Sequence, residues 1–198
     1  SFDSMVEDIF NYLKFKNISK VDMLGHSMGG NLAIYISNKT PNILNKIVIV
    51  DIVPKKYKNM HQDILSGLKS IDFNLIGSRR EADDKLSSYV SDERVRHFLL
   101  KNLYWKSEHK LGFRFNLDVL YDYSKNSITN KFENPISFKG PALFLHGKSS
   151  NYVKEQDYEL INYHYSNASI IKVPNSGHWL HADNPDFFLE KTINFLNS

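Results

Sequence analysis

Val21-Asp-Met-Leu24 runs directly into Gly25-His-Ser-Met-Gly-Gly30, and the reading of that join decides the fold. The first segment has the length and composition of a short strand. Leu32, Ala33 and Ile36 then recur at helical spacing, and that helix must stop before Pro41, which cannot extend it. Gly25-His-Ser-Met-Gly29 therefore stands between a strand and a helix. In that setting G-x-S-x-G forms a tight turn that exposes the serine on a strained backbone. Gly25 and Gly29 are expected to let strand and helix approach where a β-carbon would collide. Ser27 Oγ would stand at the amino end of the helix, whose dipole favours a developing negative charge. The Met28 backbone amide is the natural first donor to an oxyanion. A phosphate-binding or merely bending glycine turn is the competing reading. The flanking elements, and a histidine far downstream, argue against it.

That histidine is His178, in Pro174-Asn-Ser-Gly-His-Trp-Leu-His181, just past the strand read at Ser169-Ile-Ile-Lys-Val173. Loops beyond the carboxyl ends of parallel strands are where catalytic groups collect. A serine nucleophile needs a general base that titrates near neutrality, which His178 can supply. His181 is read as packing or orienting the loop. His178, His181 and Asp183 lack the further convergent ligands of a zinc site, so no metal is expected.

The third member has more than one candidate. Asp51 ends the apolar run Lys46-Ile-Val-Ile-Val50, and the chain order Ser27, Asp51, His178 suits a serine–acid–histidine relay. Ser150 stands in Gly147-Lys-Ser-Ser-Asn-Tyr-Val153, where a carboxylate is commonly supplied, and is read as an auxiliary hydrogen-bond partner. Asp118, in Phe115-Asn-Leu-Asp-Val119, is the rival acid.

Outward from these motifs, the chain divides in character. Val6, Ile9, Phe10 and Leu13 mark a helix before the first strand. After Val50 the β-branched runs cease. Amphipathic helices are expected at Asn59 to Lys69, Arg80 to Val90, Asp92 to Asn102 and Leu117 to Lys125, with a short extended piece at Gly112-Phe-Arg-Phe115. Strand character returns at Ala142-Leu-Phe-Leu-His146. A helix is expected from Val153 to about Tyr163, and a last one from Pro185 to about Leu196. Alternating strands and helices imply a mostly parallel sheet flanked by helices. The expected organisation is a core of residues 1–54 and 139–198 with a helical lid inserted at residues 55–138. Trp179, and Trp105 and Phe113 within the insertion, are candidates to line an acyl-binding surface.

Composition narrows the class. At 198 residues, 41% hydrophobic and 24% charged, the chain suits one globular domain. The 25 basic and 22 acidic residues leave a net charge of +3, spread without the aromatic-studded basic stripe of a nucleic-acid binder. No run approaches the roughly 20 apolar residues of a membrane-spanning helix. The absence of cysteine removes disulfides, thiol catalysis and cysteine–zinc sites together.

Together these segments resemble the esterase branch of the α/β-hydrolase superfamily, and in particular the YbfF-type esterases and their mitochondrial relatives. The likeness is carried by Gly25-His-Ser-Met-Gly-Gly30, Val50-Asp-Ile-Val-Pro54, His97-Phe-Leu-Leu-Lys-Asn-Leu103, Arg114-Phe-Asn-Leu117, Pro141-Ala-Leu-Phe144, Ser150-Asn-Tyr-Val153 and Gly177-His-Trp-Leu-His-Ala182. It implies cofactor-free hydrolysis of short to medium acyl esters through an acyl-enzyme intermediate, and leaves the compartment open between a cytoplasmic and an organellar setting. An acyl-CoA or acyl-carrier thioesterase, or a hydrolase-like binding protein without turnover, are the alternatives. Such enzymes carry further strands upstream of the serine turn and a His-Gly loop that gives a second oxyanion amide. An upstream segment of the same protein is therefore expected to complete the sheet, whose edge would otherwise expose unpaired backbone groups.

Overall fold

The computed structural model describes residues 1–57, 61–108, 110–125 and 132–198. In chain order the elements are α1 (Phe2–Phe15), β1 (Val21–His26), α2 (Met28–Lys39), β2 (Leu44–Val50), α3 (Gln62–Lys69), α4 (Arg79–Ser87), α5 (Glu93–Leu100), β3 (Leu103–Ser107), β4 (Lys110–Phe113), α6 (Leu117–Lys125), β5 (Ala142–Gly147), α7 (Tyr158–His164), β6 (Ala168–Val173), α8 (Leu180–Asp183) and α9 (Pro185–Asn197). They form two compact units, one of Ser1–Lys55 with Thr129–Ser198, the other of Lys56–Ile128.

The first is an α/β unit built on a parallel sheet in the order β1-β2-β5-β6. Its central strands are apolar over Ile47–Val50 and Ala142–Leu145, where both faces are covered. Val48 and Val50 pack with Leu143, Leu145, Val173 and Leu180, and Phe187, Phe188 and Phe195 lie against that cluster from α9. The alternate residues Ile47 and Ile49 are also fully buried, and Ile49 meets α2 at Gly30. On the remaining stretch of core Phe144 packs on Tyr165, whose hydroxyl shares a buried hydrogen bond of 2.8 Å with Ser37 Oγ.

The second, helical unit has its own core, of Leu68, Ile71, Ala82, Leu86, Val90, Leu100, Leu103 and Phe113. Two of its helices, α4 and α5, begin at sequence-encoded caps. Ser78 Oγ accepts the Glu81 N–H, and Asp92 Oδ1 accepts the Arg94 and Val95 N–H groups. No described helix is long and apolar enough to cross a membrane.

Local bounds differ from the expectation in two places. The extended piece at Gly112 to Phe115 is one arm of an antiparallel hairpin, β3 with β4, and the helix before it stops at Leu100 rather than Asn102. At that stop Arg79 donates to the Leu100 carbonyl and, at 2.6 Å, to that of Leu103. The segment from Val153 opens with a 3₁₀ turn at Glu155–Asp157, and the α-helix begins only at Tyr158. Asp157 holds that turn by accepting the Lys154 N–H at 2.8 Å and pairing with Lys55 Nζ at 2.5 Å. The helix expected from Asn59 starts outside the described residues, and its described part is α3.

Candidate active site

Ser27 is the single residue between β1 and α2, and it holds φ 54° and ψ −114°. A positive φ is costly for a residue with a β-carbon and persists only where surroundings enforce it. Here the Ser27 N–H donates to the Val50 carbonyl at 3.0 Å, and its own carbonyl accepts the Asn31 N–H that opens α2. A β-carbon on Gly25 would run into the Gly29 carbonyl, so the turn requires glycine at 25. Gly29 itself faces open space, and the second close approach is at Gly30, against Ile52. The expected close approach at Gly29 is therefore corrected to Gly30, because the helix turns that next residue toward the sheet.

Asp51 follows β2 directly and also takes a positive φ, 52°. Its N–H continues the sheet by donating to the Leu145 carbonyl at 2.7 Å. The side chain is fully buried, and three donors converge on it. Gly147 N–H reaches Oδ1 at 3.1 Å, the Ser150 hydroxyl donates to Oδ2, and His178 Nδ1 lies 2.7 Å from Oδ2. Burial of a charge is tolerable only with such compensation.

His178 completes the constellation, with Nε2 3.0 Å from Ser27 Oγ. An ionised carboxylate can only accept, so Nδ1 carries the ring proton and Nε2 is left to accept from the serine hydroxyl. The loop that presents His178 is held by backbone. Lys148 N–H donates to Val173 O and Ser149 N–H to Ser176 O, both at 2.9 Å. A β-carbon on Gly147 would strike the Gly177 carbonyl, so the end of β5 and the histidine loop touch main chain to main chain.

Two side chains that sequence reasoning passed over stand beside His178. His26 Nε2 lies 2.8 Å from the His178 carbonyl, and its ring is 4.7 Å from the His178 ring and 4.9 Å from that of His181. Burial, the largest cause, holds the His26 imidazole below its ordinary titration range. Tyr152 stacks on His178 with ring centroids 3.8 Å apart. Burial and the Asp51 charge push its hydroxyl up to about 12. His26 sat in the motif as its variable position, and Tyr152 only two places beyond Ser150. No periodicity marks either one.

Asp118 is on α6, with its side chain largely exposed and paired to Lys69 Nζ at 2.8 Å. Phe113 is buried in the core of the helical unit, stacked on Phe115 and edge-on to Phe73. Trp105 is half-exposed on β3, and Trp179 is the residue before α8. Asp183 accepts the Gly177 N–H at 2.9 Å. Among the described residues no group of three acidic or imidazole side chains is gathered as for a metal ion.

A family model described as the alpha/beta hydrolase fold matches residues 1–185, and the chain belongs to that family. Its relatives include the protein named sn-1-specific diacylglycerol lipase ABHD11 from Danio rerio, 34% identical over 99% of this chain and 63% of the lipase. Another is Esterase YbfF of Escherichia coli, 28% identical over 100% of this chain and 75% of that esterase. Of solved structures, one titled Marine microorganism esterase superposes with a TM-score of 0.91 at 34% identity, covering 98% of this chain and 77% of that one. The chain thus spans less than two thirds of the length of the lipase it matches.

Proposed function

We propose that this chain carries the nucleophile, base and acid of a serine hydrolase that cleaves carboxylic esters of short to medium acyl chains. The observation that supports this most is the continuous relay from Ser27 Oγ to His178 Nε2 at 3.0 Å and from His178 Nδ1 to Asp51 Oδ2 at 2.7 Å. In the proposed reaction Ser27 Oγ bonds to the ester carbonyl carbon as its proton passes to His178 Nε2. The Met28 N–H, first in α2 and so without a partner inside the helix, faces the oxyanion. His178 then gives the proton to the departing alkoxide, which leaves an acyl-serine. Water, deprotonated by His178, attacks that ester, and Ser27 recovers its proton as the acid leaves. Asp51 keeps the imidazole in the productive tautomer and offsets its transient charge.

Ester chemistry is further supported by the relatives' names, which specify an esterase and a diacylglycerol lipase. The test is labelling of the full-length protein by a serine-directed fluorophosphonate, with Ser27→Ala beside it. Labelling that disappears in the variant supports the reading. A folded parent that never labels leaves a hydrolase-like binding protein. Turnover of matched oxygen esters and thioesters assigns the leaving group.

A further inference from the structure

The loop after β5 does more than place a serine near the acid. Ser150 Oγ donates to Asp51 and accepts the Tyr152 N–H at 3.1 Å. Ser150 and Val153 are buried, and the following turn is fixed by Asp157 through Lys154 and Lys55. The segment between these anchors sets the Tyr152 ring on the His178 imidazole, with centroids 3.8 Å apart and planes 13° from parallel. That is closer than the roughly 4.5–7 Å usual for aromatic pairs.

Hydrogen bonds at Nδ1 and Nε2 resist sliding of the imidazole in its own plane. They resist tilting about the line through the two nitrogens only weakly, since both partners lie near that line. A ring stacked on the face supplies the missing constraint. The face of a phenol ring is also its electron-rich side, which attracts a cation placed over it.

We infer that Tyr152 is a positioning residue for His178: its ring holds the imidazole plane between Asp51 and Ser27 and steadies the positive charge taken on during acyl transfer. The inference rests on the serine-hydrolase reading above. One loop then braces both partners of the nucleophile, the acid through the Ser150 hydroxyl and the base through the Tyr152 ring. The hydroxyl stays protonated across any ordinary assay range, so no change of its charge enters the effect.

The experiment compares Tyr152→Phe, Tyr152→Leu and Tyr152→Met in the full-length protein. Phe keeps the ring and is expected to keep kcat within about threefold. Leu and Met remove the ring and are expected to lower kcat roughly 10- to 30-fold. KM should stay within about threefold, and fluorophosphonate labelling of Ser27 should slow in step with kcat. The measurement is read on whichever of Leu and Met keeps the parent's thermal transition. Parent-like kcat and labelling in that variant overturn the inference, as does a loss confined to KM, which would make Tyr152 a substrate contact. A Phe variant as damaged as Leu also overturns it, by moving the effect to the hydroxyl. A parent that never labels removes the hydrolase reading itself, and this inference with it.

Discussion

Among the described residues four non-glycine residues hold a positive φ, Asn17, Ser27, Asp51 and Asn175, all of them in the α/β unit and none in the helical unit. The buried polar side chains divide in the same way. Asp51, His146, Ser150, Asp157 and His164 are nearly or wholly removed from solvent in the α/β unit, whereas the helical unit contributes Ser124, bonded back to the Tyr121 carbonyl. The helical unit leaves the Lys69–Asp118 pair exposed, half-buries the Arg96–Asp83 pair at 2.8 Å, and packs periodic leucines in its core. Strained backbone and buried polar groups each cost of order 1–3 kcal/mol. A unit that concentrates them has been shaped around something other than stability.

The sharpest way to break this comparison is to remove one carboxylate from each unit. Asp51→Asn replaces the acceptor of the His178 proton by a group that can present N–H to it, which favours the wrong tautomer. The expected loss is roughly 10³- to 10⁴-fold in kcat. Asp118→Asn removes only an exposed ion pair with Lys69 and should leave kcat within about twofold. Steady-state kinetics on the full-length protein decides it. A loss in Asp118→Asn matching that of Asp51→Asn would move the acid into the helical unit.

Apolar truncations give the next largest contrast. Ile49 is fully buried at the centre of the sheet, and Ile49→Ala should cost about 2–5 kcal/mol in denaturant unfolding. Leu75, in the helical unit, is 82% exposed, and Leu75→Ala should change stability by less than about 0.5 kcal/mol. Equal costs would mean that the sheet does not dominate the core. Ser150→Ala comes below these. It deletes one of three donors to Asp51 and should lower kcat roughly tenfold, as befits one hydrogen bond to a charged group. An unchanged kcat would leave Ser150 a loop residue only.

The two units also differ in how far the sequence alone could describe them. The strand–turn–helix around Ser27 is legible because glycine, apolar run and downstream proline all agree. Asp51 and His178 were legible as chain positions after strands, since strand ends on a parallel sheet gather at one side. The hairpin of the helical unit was not, because Leu99, Leu100 and Leu103 continue a helical spacing across the break. The carbonyls at the break are taken up by Arg79, more than twenty places earlier in the chain. Tyr152 was hidden for the same reason. Its partner ring lies 26 residues away in sequence, and nothing local to Ser150-Asn-Tyr152 encodes the approach. The Gly147–Gly177 contact is equally silent, because glycine in a loop reads as a turn until its neighbour is known.

The smallest effect expected is a proton count. His26, His146 and His164, all in the α/β unit, titrate below their ordinary range, with loss of solvent the largest cause in each. Among the described residues, neither His146 Nδ1 nor His164 Nδ1 has a hydrogen-bond partner of good geometry. In the unfolded chain these imidazoles regain their usual value, about 6.5. Between that value and the lower folded-state value, the unfolded chain binds more protons than the folded one. Stability is therefore complete above about pH 6.5 and falls as the pH drops through the folded-state range. Guanidinium unfolding of the full-length protein between pH 7.5 and 5.5 should show the unfolding free energy declining on acidification, with an uptake of at most about three protons. Replacing His164 by Gln should flatten that slope by up to one proton, while the exposed His97, changed in the same way, tests the helical unit. A slope that vanishes with His97→Gln and survives His164→Gln would place the pH sensitivity in the helical unit. The division between a unit that tolerates costly groups and one that avoids them would then fail.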